Sequence, residues 1–276
     1  MAQSTPTSTR YGSAFGVGAI VGVLGGLIGL GGAEFRLPLL VSWFRYPLLP
    51  AILINLLVSL VTVVVSLGFR LQSQGLAPLL EQWPVALNIL AGSLPGSYAG
   101  VYLATRISER SLVVTVAVVL TLLGLVLIGH GWLFAREPLL LAPTLRLTLG
   151  FLAGLLIGAV SSLLGVAGGE LIIPTLALFF ALDIKLAGSV SLMISIPTII
   201  VGILRYQSRP VFREMKPERH FLLFMSLGSV VGAWIGSQLL PHAPSSLLQI
   251  FLGVILVFSA AKMARTRLHG RKHLDD

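Results

Sequence analysis

The chain has 276 residues, of which 55% are hydrophobic and only 11% charged, where a soluble domain carries roughly 25% charged residues. With thirty glycines, fifteen prolines and a mean hydropathy of +0.95, this composition excludes a soluble globular enzyme, a disordered chain and a coiled coil. The net charge of +9 sits mostly at the ends of apolar runs, so it reads as a membrane topology signal rather than as a nucleic-acid surface. The absence of cysteine excludes disulfides, thiolate metal sites and cysteine nucleophiles.

In chain order, a polar tail covers residues 1–11. Apolar windows then predict eight long helices near 12–31, 48–69, 83–103, 111–130, 147–166, 185–205, 219–240 and 244–263. Two shorter apolar stretches, 34–45 and 170–181, follow the first and fifth windows after a glycine break. At 1.5 Å per residue each reaches roughly 18 Å, short of an untilted crossing. The predicted fold is therefore all-α: a polytopic transmembrane helix bundle of about eight long helices plus two short ones. Residues 12–130 form a first transmembrane unit, 131–146 a connecting loop, 147–263 a second unit and 264–276 a basic tail.

The two units read as repeats. One ungapped shift of 136 residues pairs Gly18 with Gly154, Gly22 with Gly158, Gly29 with Gly165 and Gly32 with Gly168. It also pairs Glu34 with Glu170, Pro38 with Pro174, Ser59 with Ser195, Thr62 with Thr198, and Gly92, Ser93, Gly96 and Gly100 with Gly228, Ser229, Gly232 and Gly236. Small residues coincide easily in apolar helices. Two rare glutamates and two prolines in a single register do not.

Lysine and arginine at segment ends set the orientation. With eight crossings, Arg10, Arg70, Arg136, Arg146, the loop cluster Arg205, Arg209, Arg213, Lys216, Arg219 and the tail cluster Lys262, Arg265, Arg267, Arg271, Lys272 lie inside. Arg45, Arg106, Arg110 and Lys185 then lie outside. If the short stretches also cross, Arg45, Arg106 and Arg110 exchange sides with Arg70, Arg136 and Arg146, and the bias is the same. Both arrangements predict a multi-pass cell-membrane protein with cytoplasmic termini. The repeats are parallel in the first arrangement and inverted in the second, and charge does not choose between them.

The most informative local pattern is Gly29-Leu30-Gly31-Gly32-Ala33-Glu34-Phe35-Arg36-Leu37-Pro38, with Gly165-Val166-Ala167-Gly168-Gly169-Glu170-Leu171-Ile172-Ile173-Pro174 as its counterpart. Glycine permits a helix to break, and a broken backbone inside a membrane must be buried in protein or face a watery cavity. The next short helix then points its free N–H groups and positive dipole end into the break, a ready anion site. Gly31, Gly32, Gly168 and Gly169 are the candidate backbone donors. Glu34 and Glu170 are candidate gating or proton-linked residues, since an intramembrane acid is a functional candidate by default; capping of a short helix is the competing role. Arg36 is a candidate partner for Glu34 or for the anion and has no counterpart, because Ile172 occupies its place.

Asn55, Ser93, Ser191, Ser195 and Ser229 are candidate path-lining residues, against the commoner role of such side chains in interhelical hydrogen bonding. The Gly92–Gly100 and Gly228–Gly236 segments read first as close-packing seams. His130, His220 and His242 fall near segment ends and read as interfacial. Nothing in the sequence has the spacing of a catalytic set, a cofactor loop or a metal site.

The paired glycine blocks, each followed by Pro38-Leu39 or Pro174-Thr175-Leu176, and the Gly-Ser-x-x-Gly-x-x-x-Gly segments resemble the sulfite exporter TauE/SafE family over residues 14–262. That resemblance implies a permease for a small anion such as sulfite or a sulfonate, in contact with the bilayer and needing no cofactor; the two intramembrane glutamates, Glu34 and Glu170, add protons as a candidate coupling ion. The chain departs from the usual family pattern where Ala33-Glu34 and Glu170 stand in place of further glycine. A carboxylate there repels an anion unless it is protonated or paired. A cation or metal exporter using the two glutamates, and a membrane assembly subunit that transports nothing, are the alternative readings.

Overall fold

The computed structural model describes residues 7–103, 142–164, 168–207 and 218–269, with a few positions between 118 and 129. Outside the described residues lie the start of the N-terminal tail, most of the segment at 111–130 and of the connection at 131–146, the step Gly165–Ala167, Arg209, Arg213 and Lys216, and the end of the basic tail.

Among the described residues every regular element is helical: α1 (Thr7–Ile28), α2 (Ala33–Ser42), α3 (Leu48–Gln74), α4 (Ala77–Glu81), α5 (Trp83–Leu103), α6 (Pro143–Leu164), α7 (Gly169–Phe179), α8 (Ile184–Gln207), α9 (Arg219–Leu239) and α10 (Ser245–His269). Five of these contain stretches long and apolar enough to cross a membrane: Arg10–Ile28, Pro50–Gln74, Pro143–Ser161, Ile184–Leu204 and Arg219–His242. The outer faces of α6, α9 and α10 expose Leu147, Leu156, Leu223, Trp234, Val254 and Phe258, the surface expected against lipid rather than water.

Glycine decides which helices meet. A Cβ at Gly18, Gly22 or Gly26 of α1 would strike the backbone of Met225, Ser229 or Ala233 on α9. A Cβ at Gly154 or Gly158 of α6 would strike Ile89 or Ser93 on α5. In both pairs the residue numbers rise together, so the paired helices run parallel. Their backbones touch without intervening side chains, which is how helices associate where lipid offers no hydrophobic drive.

The short helices turn the chain back. Gly32, with φ 73°, lies against Val21, one to two turns before the end of α1. From there α2 returns alongside α1, so that Leu40 and Phe44 pack with Ala14 and Val17. Gly168, with φ 77°, likewise lies against Ile157 and Ser161, and Phe180 reaches back to Gly150. A residue with a Cβ is strained at that φ, which is why both short helices begin immediately after a glycine.

The two ends of the bundle are marked by contacts. At one end Arg10 bonds Glu218 (3.2 Å), its guanidinium lies 5.1 Å from the centre of the Tyr46 ring, and Tyr46 donates to Glu218 (3.3 Å). At the other end the last turns of α1 and α3 meet the first turn of α8, where Arg70 donates to the backbone oxygen of Lys185 (3.1 Å). Tyr46 therefore shares an end with Arg10, although α1 and α2 both lie between them.

Candidate functional site

The site grows out of the two glycine breaks, which meet: Gly169, the first residue of α7, packs against the backbone of Leu30 in the first break. Neither Gly32 nor Gly168 supplies a side-chain cap. Glu34 and Glu170 stand in the first turns that follow. Four residues beyond each glutamate is a proline, Pro38 or Pro174, which has no N–H to give back. The glutamate carbonyls thus lose their ordinary helical donor just where the backbone is already broken.

Both oxygens of the Glu34 carboxylate, and Oε1 of Glu170, are buried without a hydrogen-bond partner. Glu170 as a residue is 8% exposed. No ion pair joins Glu34 to Arg36, so the nearest cation in sequence does not neutralise it through contact.

Arg36 turns instead to uncharged groups. Fully enclosed, it donates through Nη1 to Ser59 Oγ (2.9 Å) and the backbone oxygen of Asn55 (3.5 Å), and through Nη2 to Thr62 Oγ1 (3.2 Å) and Ser229 Oγ (3.5 Å). Its Nε has no partner. Asn55 in turn donates to the backbone oxygen of Ala33 (3.0 Å), fixing the start of α2 on α3. A buried charge is costly unless paired and hydrogen-bonded; here neutral groups supply the hydrogen bonds, and Glu34 acts on the guanidinium through space without touching it.

The other sequence candidates divide between the surroundings of Arg36 and the helix seams. Ser229 touches Arg36 and also donates to the backbone oxygen of Gly18 (3.2 Å), so it joins α9 to both α1 and α2. Its counterpart Ser93 lies in the α5–α6 seam, where its backbone meets Gly158 and its hydroxyl turns to Leu90. Ser191 and Ser195 on α8 are both buried, and the Ser191 hydroxyl lacks a partner. Asn88 donates across the same seam to the backbone oxygen of Leu147, and Tyr98 and Trp234 face outward.

Arg70, counted from the sequence with the topology signals, is a buried structural cation, 1% exposed. Its Nε donates to Gly26 O and its Nη2 to Leu27 O, both at 2.9 Å, which caps the final carbonyls of α1. Among the described residues no group of three His, Cys, Asp or Glu side chains comes close enough to hold a metal ion.

No curated protein and no solved structure matches the chain. Residues 149–275 match the family model described as Sulfite exporter TauE/SafE. The multi-pass helical architecture and this match, which covers just under half of the chain, agree with the resemblance carried by the glycine blocks: the second half is similar to the Sulfite exporter TauE/SafE family.

Proposed function

We propose that this chain is a secondary transporter for a small anion of the sulfite or sulfonate class, with Arg36 at the heart of its binding site. The observation that carries the reading is the guanidinium itself: enclosed, hydrogen-bonded only to neutral oxygens, with Nε unused. No carboxylate touches this group, although Glu34 acts on it through space, so an anion is its natural complement once Glu34 carries a proton. The first turns of α2 and α7, opening on the meeting breaks, add backbone donors from Gly31, Gly32, Gly168 and Gly169.

Glu34 and Glu170 act as the proton-linked pair. A carboxylate beside the anion opposes its binding by like charge, and a proton on the carboxyl removes that opposition, so proton and anion enter together. Asn55, Ser191, Ser195 and Ser229 line the way to and from the site.

The machine is read as two inverted repeats with ten crossings and cytoplasmic termini. Supporting the repeat, the seam contacts recur under the 136-residue shift: Gly18 on Met225 becomes Gly154 on Ile89, and Gly22 on Ser229 becomes Gly158 on Ser93. The left-handed backbone at Arg45 recurs at Ala181. Supporting ten crossings, Tyr46 shares an end with Arg10, where the eight-crossing scheme puts the two on opposite faces.

Flux into proteoliposomes of sulfite, a small sulfonate and divalent metal ions tests the reading. Sulfite or sulfonate flux driven by a pH gradient is expected. Metal-dependent flux that Glu170→Gln abolishes would replace the anion carrier with a metal exporter.

A further inference from the structure

One face of α3 carries Asn55, Ser59, Thr62, Ser66 and Arg70, at steps of four, three, four and four residues. That spacing stacks side chains along one side of a helix. Each of the five is at most 1% exposed. At 1.5 Å per residue the row runs roughly 22 Å, most of the ~30 Å hydrocarbon core.

Packing accounts for part of the row. Asn55 secures α2, Ser59 and Thr62 receive Arg36, and Thr62 also returns its hydroxyl to Val58 O (2.8 Å). Packing does not account for Ser66, whose hydroxyl is buried and bonded to nothing. Ser66 lies between the Arg36 ligands and Arg70, one turn from each. Arg70 is held by four neutral oxygens: Gly26 O, Leu27 O, Lys185 O and Ser189 Oγ, with Ser189 bonded onward to Gln74 (2.8 Å). No carboxylate touches it among the described residues. A small cleft lined by Leu67, Gln74, Leu186 and Ser189 opens beside it.

We propose that this face of α3 is a wall of the anion path, and that Arg70 is its second positive station and the bolt of the end remote from Arg10. The inference rests on the anion-carrier reading above and adds a route and a gate to it. An anion leaving Arg36 meets the unpaired Ser66 hydroxyl and then Arg70. A guanidinium bonds an anionic oxygen more strongly than a neutral carbonyl, so the arriving anion displaces Gly26 O and Leu27 O. The end of α1, adjoining its glycine break, is thereby released from Arg70, which ties it to Lys185 and Ser189 of α8, and keeps only the direct contact of Gly29 with Gly188. Arrival of substrate and opening of that end become one event.

The cysteine-free chain makes the test direct. Ser66→Cys in the full protein, reconstituted in proteoliposomes, is treated with anionic sulfonatoethyl and cationic trimethylammonioethyl methanethiosulfonate; exposed Gln72→Cys serves as the folding and reagent control. Relative to that control, Ser66→Cys is expected to favour the anionic reagent by about tenfold or more, given one fixed charge a helical turn away. Sulfite is expected to slow the reaction. Adding Arg70→Gln is expected to remove most of the preference, while Arg70→Lys, which keeps the charge but loses the fork, keeps the preference and reacts faster. If Ser66→Cys resists both reagents while Gln72→Cys labels and sulfite flux persists, the path lies elsewhere and the anion carrier survives. A preference for the cationic reagent overturns route and carrier together. An unchanged preference in both Arg70 variants overturns the role given to Arg70.

Discussion

Replacing Arg36 by glutamine removes the charge while keeping a donor for Ser59. Because the guanidinium is fully enclosed, its attraction for a bound anion is weakly screened. At a contact distance of about 4 Å and an effective dielectric near 20, the interaction is on the order of 4 kcal/mol. At 1.4 kcal/mol per factor of ten, its loss weakens anion binding by about three orders of magnitude. Arg36→Lys keeps the charge but reaches fewer of the three hydroxyls, and is expected to lose roughly tenfold, one charge-assisted hydrogen bond's worth. The assay is equilibrium binding of radiolabelled sulfite to detergent-purified protein, with thermal unfolding measured alongside to report the loss of the bonds to Ser59, Thr62 and Ser229. Sulfite affinity within threefold of the parent in a folded Arg36→Gln protein would refute the assignment, because the magnitude follows from the enclosure of the charge.

Three further outcomes follow from the geometry. Gly22→Ala and Gly158→Ala each press a methyl onto the backbone of the facing helix and are expected to cost about 1–3 kcal/mol of stability, whereas Gly68→Ala, with open space around it, leaves the melting temperature unchanged or higher. Glu34→Gln combined with Glu170→Gln is expected to abolish the dependence of flux on a pH gradient while sulfite still binds; pH-driven flux equal to the parent's would exclude both residues from coupling. Burial, followed by the neighbouring Glu218, pushes the Tyr46 hydroxyl up to about 12. A raised value favours the protonated form in the fold, so this stability is complete below pH 10 and lost as the pH rises towards 12. Tyr46→Phe should therefore flatten the fall in melting temperature across that window, and an unaltered slope would contradict the contact.

The sequence located the breaks because their cause is local. Glycine before Ala33 and before Glu170, and proline four residues beyond each glutamate, define short helices whatever surrounds them, and α2 and α7 begin where the pattern puts them. The partners of those helices were not legible. Ser93 and Ser229 are equivalent in sequence, yet only Ser229 meets a guanidinium, because Ile172 stands where a second arginine would be needed. Arg70 was hidden for a different reason. A basic residue at the end of an apolar run is ordinarily interfacial, and only the packing of α1 and α8 around it reveals a buried charge. A signal was present in the four-residue step from Ser66, which continues the polar face of α3 to Arg70 instead of ending it.

The pairing of α1 with α9 and of α6 with α5 bears on how the protein is made. When α6 enters the membrane, its partner α5 is already there. When α1 enters, its partner has not been synthesised, and the glycine-lined groove at Gly18, Gly22 and Gly26 faces lipid until Arg219–Leu239 follows. The molecule therefore closes late, and a ribosome that stalls before α9 leaves an intermediate with an open groove for membrane quality control to find. A second half expressed by itself keeps α6 and α9 but lacks the α5 and α1 they pack against, so both glycine seams are left open to lipid.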